Sequence, residues 1–348
     1  MDTLVLQQIQ RYCDDPQLYK VQTLQKLWSN YGEIARYYSP KCDKNIIVKH
    51  IKPPSKVNHP RGWHSDVGHQ RKVDSYRIEA DFYQYYAVFC YDDCYVPDYI
   101  ALIKDTVHTE QQTLLMEDLT SSGFCLTFHT ASDEQVKIVL HWLAHFHGRF
   151  LQMTTPELWP VGSYWYLTTR QAEYNAMPAG LLKDSAQQID KALGSARFKT
   201  LLHGDAKLAN FCFSDDGRVA AVDFQYVGRG AGIKDVMYFL GSCLAEQQLW
   251  AKHDEYIDYY FAQLKNVLLQ GNVTKTGEDN VNADNGSKHA IEAPEPDNTV
   301  WIDELEQEWR TLLPLAWADF NRFLQGWSPG HVKINDFMQA QTTLALTG

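Results

Sequence analysis

His203, Asp205, Asn210 and Asp223 stand in the stretch LLHGDAKLANFCFSDDGRVAAVDFQYVG, residues 201–228, at spacings that suit phosphoryl transfer. An aspartate that accepts the proton of an attacking hydroxyl must lie one hydrogen bond from that oxygen, while an amide oxygen and a second carboxylate reach the magnesium ions that neutralise the phosphates. Asp205, followed five residues later by Asn210, lets one loop meet both needs. Magnesium takes oxygen ligands and keeps several waters, so Asn210, Asp223 and phosphate oxygens suffice without a cage of His or Cys. ATP and Mg2+ are the expected cofactors, and a small-molecule hydroxyl is the expected acceptor. A lone HxD or a lone DF arises easily by chance; the complete string carries the signal. His203 has two readings, a part in the chemistry or bracing of the loop by hydrogen bonds.

The elements that must position these groups are legible around them. Asn210–Phe213 and Val219–Val222 read as two short strands joined by Ser214-Asp-Asp-Gly217, whose Asp-Gly signals a hairpin that brings Asp223 back beside Asn210. Upstream, Asn45–Ile51 reads as a strand rich in β-branched residues, interrupted by Lys49 and His50. Lys49 among apolar neighbours suits a buried phosphate contact, with Lys52 as the alternative if the register shifts. From Val73 a helical period puts Tyr76, Ala80, Tyr83 and Ala87 on one face beside Glu79, the expected partner of Lys49, with Asp81 as competitor. Gly32, in Tyr31-Gly-Glu-Ile34, either admits a phosphate or simply makes a turn. Two antiparallel strands, 94–104 and 112–119, end at Met116, Glu117 and Asp118, where a hinge with backbone groups for an adenine edge is expected.

The totals bound the class. With 348 residues and 45% hydrophobic content the chain can bury a large core and form two lobes. A formal net charge of −11 and no basic tract disfavour nucleic acid and anionic membranes and favour cationic substrates. No apolar run is long enough to span a bilayer and the N-terminus lacks a basic start, so the expected location is cytoplasmic. Seven scattered cysteines suit reduced thiols, and Cys90 and Cys94 lack a second pair for zinc. No obligate protein partner is evident.

Other stretches frame the site. Residues 3–13 read as an amphipathic helix burying Leu4, Leu6, Ile9 and Cys13. Residues 53–72 carry His59, His64 and His69 and read as a surface loop. Ser132-Asp-Glu-Gln135 is a capping box opening a helix with an apolar stripe from Val136 to Phe150; His141, His145 and His147 decorate it, and packing or surface roles are preferred to zinc for want of a third ligand. Gly228–Gly232 reads as a flexible turn before a helix whose first-turn Asp235 is read as a structural cap, the alternative being acceptance of hydrogen bonds from the catalytic loop. Helices are expected over 184–198, 254–269 and 301–325, and a polar, mobile insertion over 271–299. Trp309 and Trp317 with Glu304 and Glu308 offer a place for a cationic acceptor, against a simple core role for the tryptophans.

At HGDAKLAN, VDFQYVG and IKDVMYFL the chain resembles the aminoglycoside phosphotransferase and choline kinase superfamily, and more closely its ecdysteroid-kinase-like branch. LWSNYGEI, VKHI, SYRIEADFY, LLMEDL and LAHFHGRF follow the same branch in order, so the resemblance spans residues 25–245. It implies an α+β, protein kinase-like two-lobe fold, with a small antiparallel β N-lobe over 1–118 and a larger, mostly helical C-lobe over 119–348. It also implies ATP in the cleft between lobes, Asp205 as base, Asn210 and Asp223 as magnesium ligands, and Lys49 with Glu79 at the phosphates. Gln225 replaces the last residue of a DFG triplet and no activation segment follows, which argues against a protein kinase. The expected activity is ATP-dependent transfer of the γ-phosphate to a small-molecule hydroxyl of an amino alcohol, sterol, sugar or antibiotic. A kinase-shaped nucleotide-binding module without turnover is the rival.

Overall fold

Alternating and β-branched residues in the first third, then long amphipathic stretches, give a sheet followed by helices. The structure, a computed structural model, describes residues 3–54, 66–105, 108, 110–270 and 300–348. The expected insertion at 271–299, and His59 and His64, lie outside the described residues. In chain order the regular elements are α1 (Thr3–Tyr12), β1 (Tyr19–Lys26), β2 (Gly32–Ser39), β3 (Lys44–Ile51), α2 (Asp66–Tyr85), β4 (Tyr99–Lys104), β5 (Gln112–Glu117) and α3 (Asp133–Arg149). There follow α4 (Gln171–Ala176), α5 (Leu181–Asp184), α6 (Ala186–Gly194), β6 (Thr200–Leu202), β7 (Phe211–Phe213), β8 (Val219–Ala221) and β9 (Gly228–Gly230). The chain ends in α7 (Ile233–Cys243), α8 (Glu246–Leu269), α9 (Val300–Trp327) and α10 (Asp336–Thr347).

The backbone forms two units. The first comprises residues 1–91, 95–126 and 212–225. Its five-stranded sheet runs β1-β2-β3-β5-β4, and every neighbouring pair is antiparallel. One face packs Ile9, Leu18, Ala35, Tyr37, Val48 and Leu115 into a core. A smaller cluster of Leu27, Tyr31, Ile51 and Tyr76 joins α2 to the strands. In α1 only Ile9 is buried, and Leu4 is 67% exposed, because the helix touches the sheet along a single narrow line. Helix α2 begins at Asp66, seven residues before the expected start, so His69 lies on a helix rather than a loop; its Nδ1 sits 2.5 Å from the Tyr31 hydroxyl.

The second unit comprises residues 92–94, 127–211 and 226–348. Helix α3 opens on the expected capping box, with Ser132 and Gln135 satisfying each other's backbone amides. Its stripe of Val136, Val139, Leu140, Leu143, Phe146 and Phe150 is fully buried. The stretch 228–232 is not a flexible turn: Gly228–Gly230 pairs with Thr200–Leu202 as an antiparallel ladder. The glycines are there for close approach, since a Cβ on Gly228 would lie 2.3 Å from the Trp159 carbonyl oxygen. That ladder anchors the chain on both sides of the HGD segment. No helix among the described residues is long and apolar enough to cross a membrane.

Candidate active site

In the first unit the site is built on Lys49. Strand β3 is held between β2 and β5, and Lys49 pairs in register with Ile34 and Leu114, which leaves the side chain 3% exposed. A buried ammonium needs a partner. Glu79 on α2 supplies it, its two carboxylate oxygens 2.8 and 2.6 Å from Nζ. Burial raises the Glu79 carboxyl above its ordinary range, against the pull of Lys49. The competitor Asp81 instead accepts from Arg77 at 2.9 Å.

Asp223 follows the β7–β8 hairpin and brings its Oδ1 to 3.9 Å from Lys49 Nζ. Its φ of 70° lies in the left-handed region, where a residue with a Cβ sits only when its surroundings hold it. Gln225, two residues on, does the holding: its Nε2 donates to Asp223 Oδ1 at 2.6 Å, and its Oε1 accepts from Lys72 at 2.7 Å. Phe224 stacks on Phe82 with ring centroids 4.0 Å apart and fixes the segment against α2. The glutamine that departs from the DFG pattern is thus the residue that orients the acid.

Gly32 has a φ of +136°, and a Cβ there would meet the His50 carbonyl at 1.9 Å, so the β2–β3 ladder itself demands glycine. The stretch Met116–Asp118 has structural partners as well. Met116 pairs within the sheet, and the Glu117 amide donates to the Asp98 carbonyl at 3.0 Å. The Glu117 carboxylate accepts from Tyr95, and Asp118 accepts a two-pronged bond from Arg36 at 2.5 and 3.0 Å.

In the second unit the HGD segment is braced from behind. Asp235, in the first turn of α7, accepts from the backbone amides of His203 at 2.6 Å and Gly204 at 3.1 Å. The capping role assigned to Asp235 gives way to the alternative, because its carboxylate turns to the loop and not to its own helix. His147, wholly buried and no surface decoration, completes the brace with Nε2 3.3 Å from Asp235 and Nδ1 2.7 Å from the Tyr260 hydroxyl. His203 is fully buried, and its Nδ1 accepts the Asp205 amide at 3.3 Å. It positions the loop. Asn210 donates its amide to the Asp205 carbonyl at 2.9 Å and to Asp205 Oδ2 at 3.2 Å, which commits its nitrogen and leaves Oδ1 as the atom that can ligate a cation.

Asp205 also meets Lys207, whose side chain is 38% exposed and whose Nζ is 2.8 Å from Oδ2. The carboxylate lines a cavity of about 280 Å³ within this unit. Tyr164, Tyr238, Phe320 and Trp327 supply aromatic walls, and Lys333 supplies a cation. Trp309 and Trp317 are not there: both are buried, donating to the Phe198 carbonyl at 3.0 Å and to His253 Nε2 at 3.4 Å. Glu304 pairs with Arg197, and Glu308 accepts from the amides of Arg197 and Phe198. Trp309, Glu304 and Glu308 fasten α9 to the segment before β6, and Trp317 ties it to α8, which corrects their reading as a cationic subsite.

Burial pushes Lys333 down to about 8, with Asp205 and Cys243 pulling the other way. The folded chain holds this proton less tightly than the unfolded chain does. The cost of the charge is therefore complete below about pH 8 and fades as pH rises toward the ordinary lysine value. Lys333→Met is expected to stabilise the fold by about 1–2 kcal/mol at neutral pH, less by whatever the contacts of Nζ over the Tyr238 and Phe320 rings contribute. Urea unfolding of both proteins near pH 7 and above pH 9 checks this, since the advantage must shrink at the higher pH.

Each residue expected at the site thus has a place. Lys49, Glu79 and Asp223 come together in the first unit, and His203, Asp205 and Asn210 in the second. Lys207, Gln225 and Lys333 were missed; the first is visible in HGDAKLAN, whereas nothing local marks Lys333. Residues 167–272 match the Ecdysteroid kinase-like family, which bears out the resemblance read from the sequence. A comparison with curated proteins finds no match. Among solved structures, a candidate aminoglycoside phosphotransferase from Ralstonia eutropha is similar at a TM-score of 0.52 and 14% identity, over 99% of this chain and 95% of that one. Amicoumacin kinase hAmiN, solved with AMP-PNP, Ca2+ and Ami, is similar at 0.50 and 13% identity, over 99% and 92%. These likenesses bear out the α+β, kinase-like fold.

Proposed function

We infer that this chain, which belongs to the ecdysteroid-kinase-like branch of the aminoglycoside phosphotransferase and choline kinase superfamily, is a small-molecule phosphotransferase that moves the γ-phosphate of ATP to a hydroxyl. The observation that carries the reading is the Asp205 carboxylate on the wall of an aromatic cavity. An acceptor stacked on those rings presents a hydroxyl to a base that Asn210 and Lys207 already orient.

Asp205 takes the hydroxyl proton as the oxygen attacks. Lys49, fixed by Glu79, holds phosphate oxygens, and Lys207 offers a second cation against the charge that spreads over the transferring group. Asn210 Oδ1 in the second unit and the Asp223 carboxylate in the first are each an oxygen donor of the kind a hard cation takes, their other polar atoms tied down by Asp205 and Gln225. Magnesium held by such donors would supply neutralisation of the phosphate charge. The cavity holds Lys207 and Lys333, and its one acid is already paired, so a neutral or anionic ring-bearing alcohol fits it better than a cationic one.

The test is ADP release from ATP and Mg2+ across panels of sterols, sugars, amino alcohols and antibiotics. Acceptor-dependent release is expected, strongest with neutral ring-bearing alcohols. ATP binding with no acceptor-dependent release in any panel would leave a nucleotide-binding module in its place.

A further inference from the structure

We propose that Asp93, His141 and His145 form a binding site for one divalent transition-metal ion, zinc by preference, on the outer face of α3. The two histidines are one turn apart on that helix, and their ring centroids are 4.2 Å apart. The sequence alone offers no third ligand near them. The fold supplies it by laying the short turn Asp92–Cys94 beside α3, so that the Asp93 carboxylate faces both rings. Its Oδ1 lies 3.7 Å from His141 Nε2 and its Oδ2 lies 3.7 Å from His145 Nδ1. The three ligand atoms are within 4.8 Å of one another.

Those distances are too long for hydrogen bonds. They are close to what a shared ion needs: ligands about 2.1 Å from a tetrahedral zinc stand roughly 3.4 Å from each other. The Asp93 side chain is 62% exposed and His141 38%, so a small torsional adjustment closes the remaining gap, and water has access to a fourth position. The donor set decides the metal class. Two imidazoles and one carboxylate are borderline donors that select zinc, copper or nickel, whereas magnesium and calcium take oxygens.

A supporting bond behind the ligands points the same way. Gln263 on α8 places its Oε1 3.1 Å from His141 Nδ1, and an amide oxygen there accepts the Nδ1 proton. The lone pair of His141 is thereby left on Nε2, the atom that faces Asp93. This arrangement is independent of Asp205, Asn210 and Asp223, and it stands whether or not the phosphotransferase reading holds. Bound zinc would fasten the 92–94 turn to α3, a link between residues far apart in sequence.

The experiment uses the full chain without a polyhistidine tag, stripped by a chelator and kept in millimolar Mg2+ to occupy oxygen sites. Zinc is titrated in competition with a chromogenic chelator, and the melting temperature is followed in parallel. One zinc per chain with micromolar or tighter affinity and a raised melting temperature is expected. His141→Gln, His145→Gln and Asp93→Asn should each weaken that site by about tenfold or more, and Gln263→Ala by less, while melting without zinc stays near wild type. Copper in place of zinc should show nitrogen splitting from two imidazoles by electron paramagnetic resonance, reduced to one in either histidine variant. Absence of stoichiometric zinc binding, or binding that all three ligand variants retain, would overturn the site.

Discussion

Asp205→Asn is expected to lower turnover by about a thousandfold while nucleotide affinity changes by no more than a few-fold. The amide keeps the size of the carboxylate, so the cavity wall and the Asn210 contact survive in outline, but it cannot accept the hydroxyl proton. It also leaves the Lys207 ammonium without its anionic partner, now 2.8 Å away. Lys207→Met separates the two losses: it removes the cation and keeps the base, and it should cost less than the Asn variant. The pair is read by single-turnover ADP release and, separately, by nucleotide titration. Near-normal turnover in Asp205→Asn would falsify the assignment of the base.

How much of this was legible beforehand depended on how local the signal was. The HGDAKLAN stretch, the hairpin after it, the capping box of α3 and the Lys49–Glu79 pair all lie in contiguous residues or in one strand and its next helix, which is why their local structure could be read from pattern. Strand β1 is hard to read in YKVQTLQK because the alternation of Tyr19, Val21 and Thr23 with polar residues breaks at Leu24, where the pairing is irregular, and the strand is exposed along nearly its whole length. The ladder at Gly228–Gly230 looked like a loop because its glycines serve a close approach to Trp159 and Leu202, residues that only the fold brings near. Asp235 was visible, but a carboxylate in a first helical turn caps far more often than it braces a distant loop. The cavity is the extreme case. Tyr164, Tyr238 and the neighbouring pair Trp327 and Lys333 come from three separate stretches, and no spacing rule connects them.

Asp319→Ala is expected to destabilise the second unit by about 3–5 kcal/mol, a large share of the stability of any domain. Asp319 is 1% exposed and lies at the centre of a buried network. It accepts from Arg322 at 3.0 and 2.8 Å, from the Trp165 indole at 3.0 Å and from Lys234 at 3.3 Å. Burial alone would raise this carboxyl, yet Arg322 and Lys234 outweigh it and hold the group below its ordinary range. A carboxyl with a depressed value adds stability above its unfolded pKa, and that share is lost as pH falls through the folded value. Alanine removes the anion and strands two buried cations, one of which, Arg322, already has an Nη1 with no partner among the described residues. Lys234 stands next to Asp235 at the start of α7, so loss of the network loosens the base of the loop that carries Asp205. Asp319→Asn keeps the shape and an acceptor for Trp165 but not the charge, and should fall between wild type and alanine. Calorimetric melting at neutral pH ranks the three. An alanine variant within about 1 kcal/mol of wild type would mean that water reaches the cations, and that the network orders α7 and α9 without stabilising them.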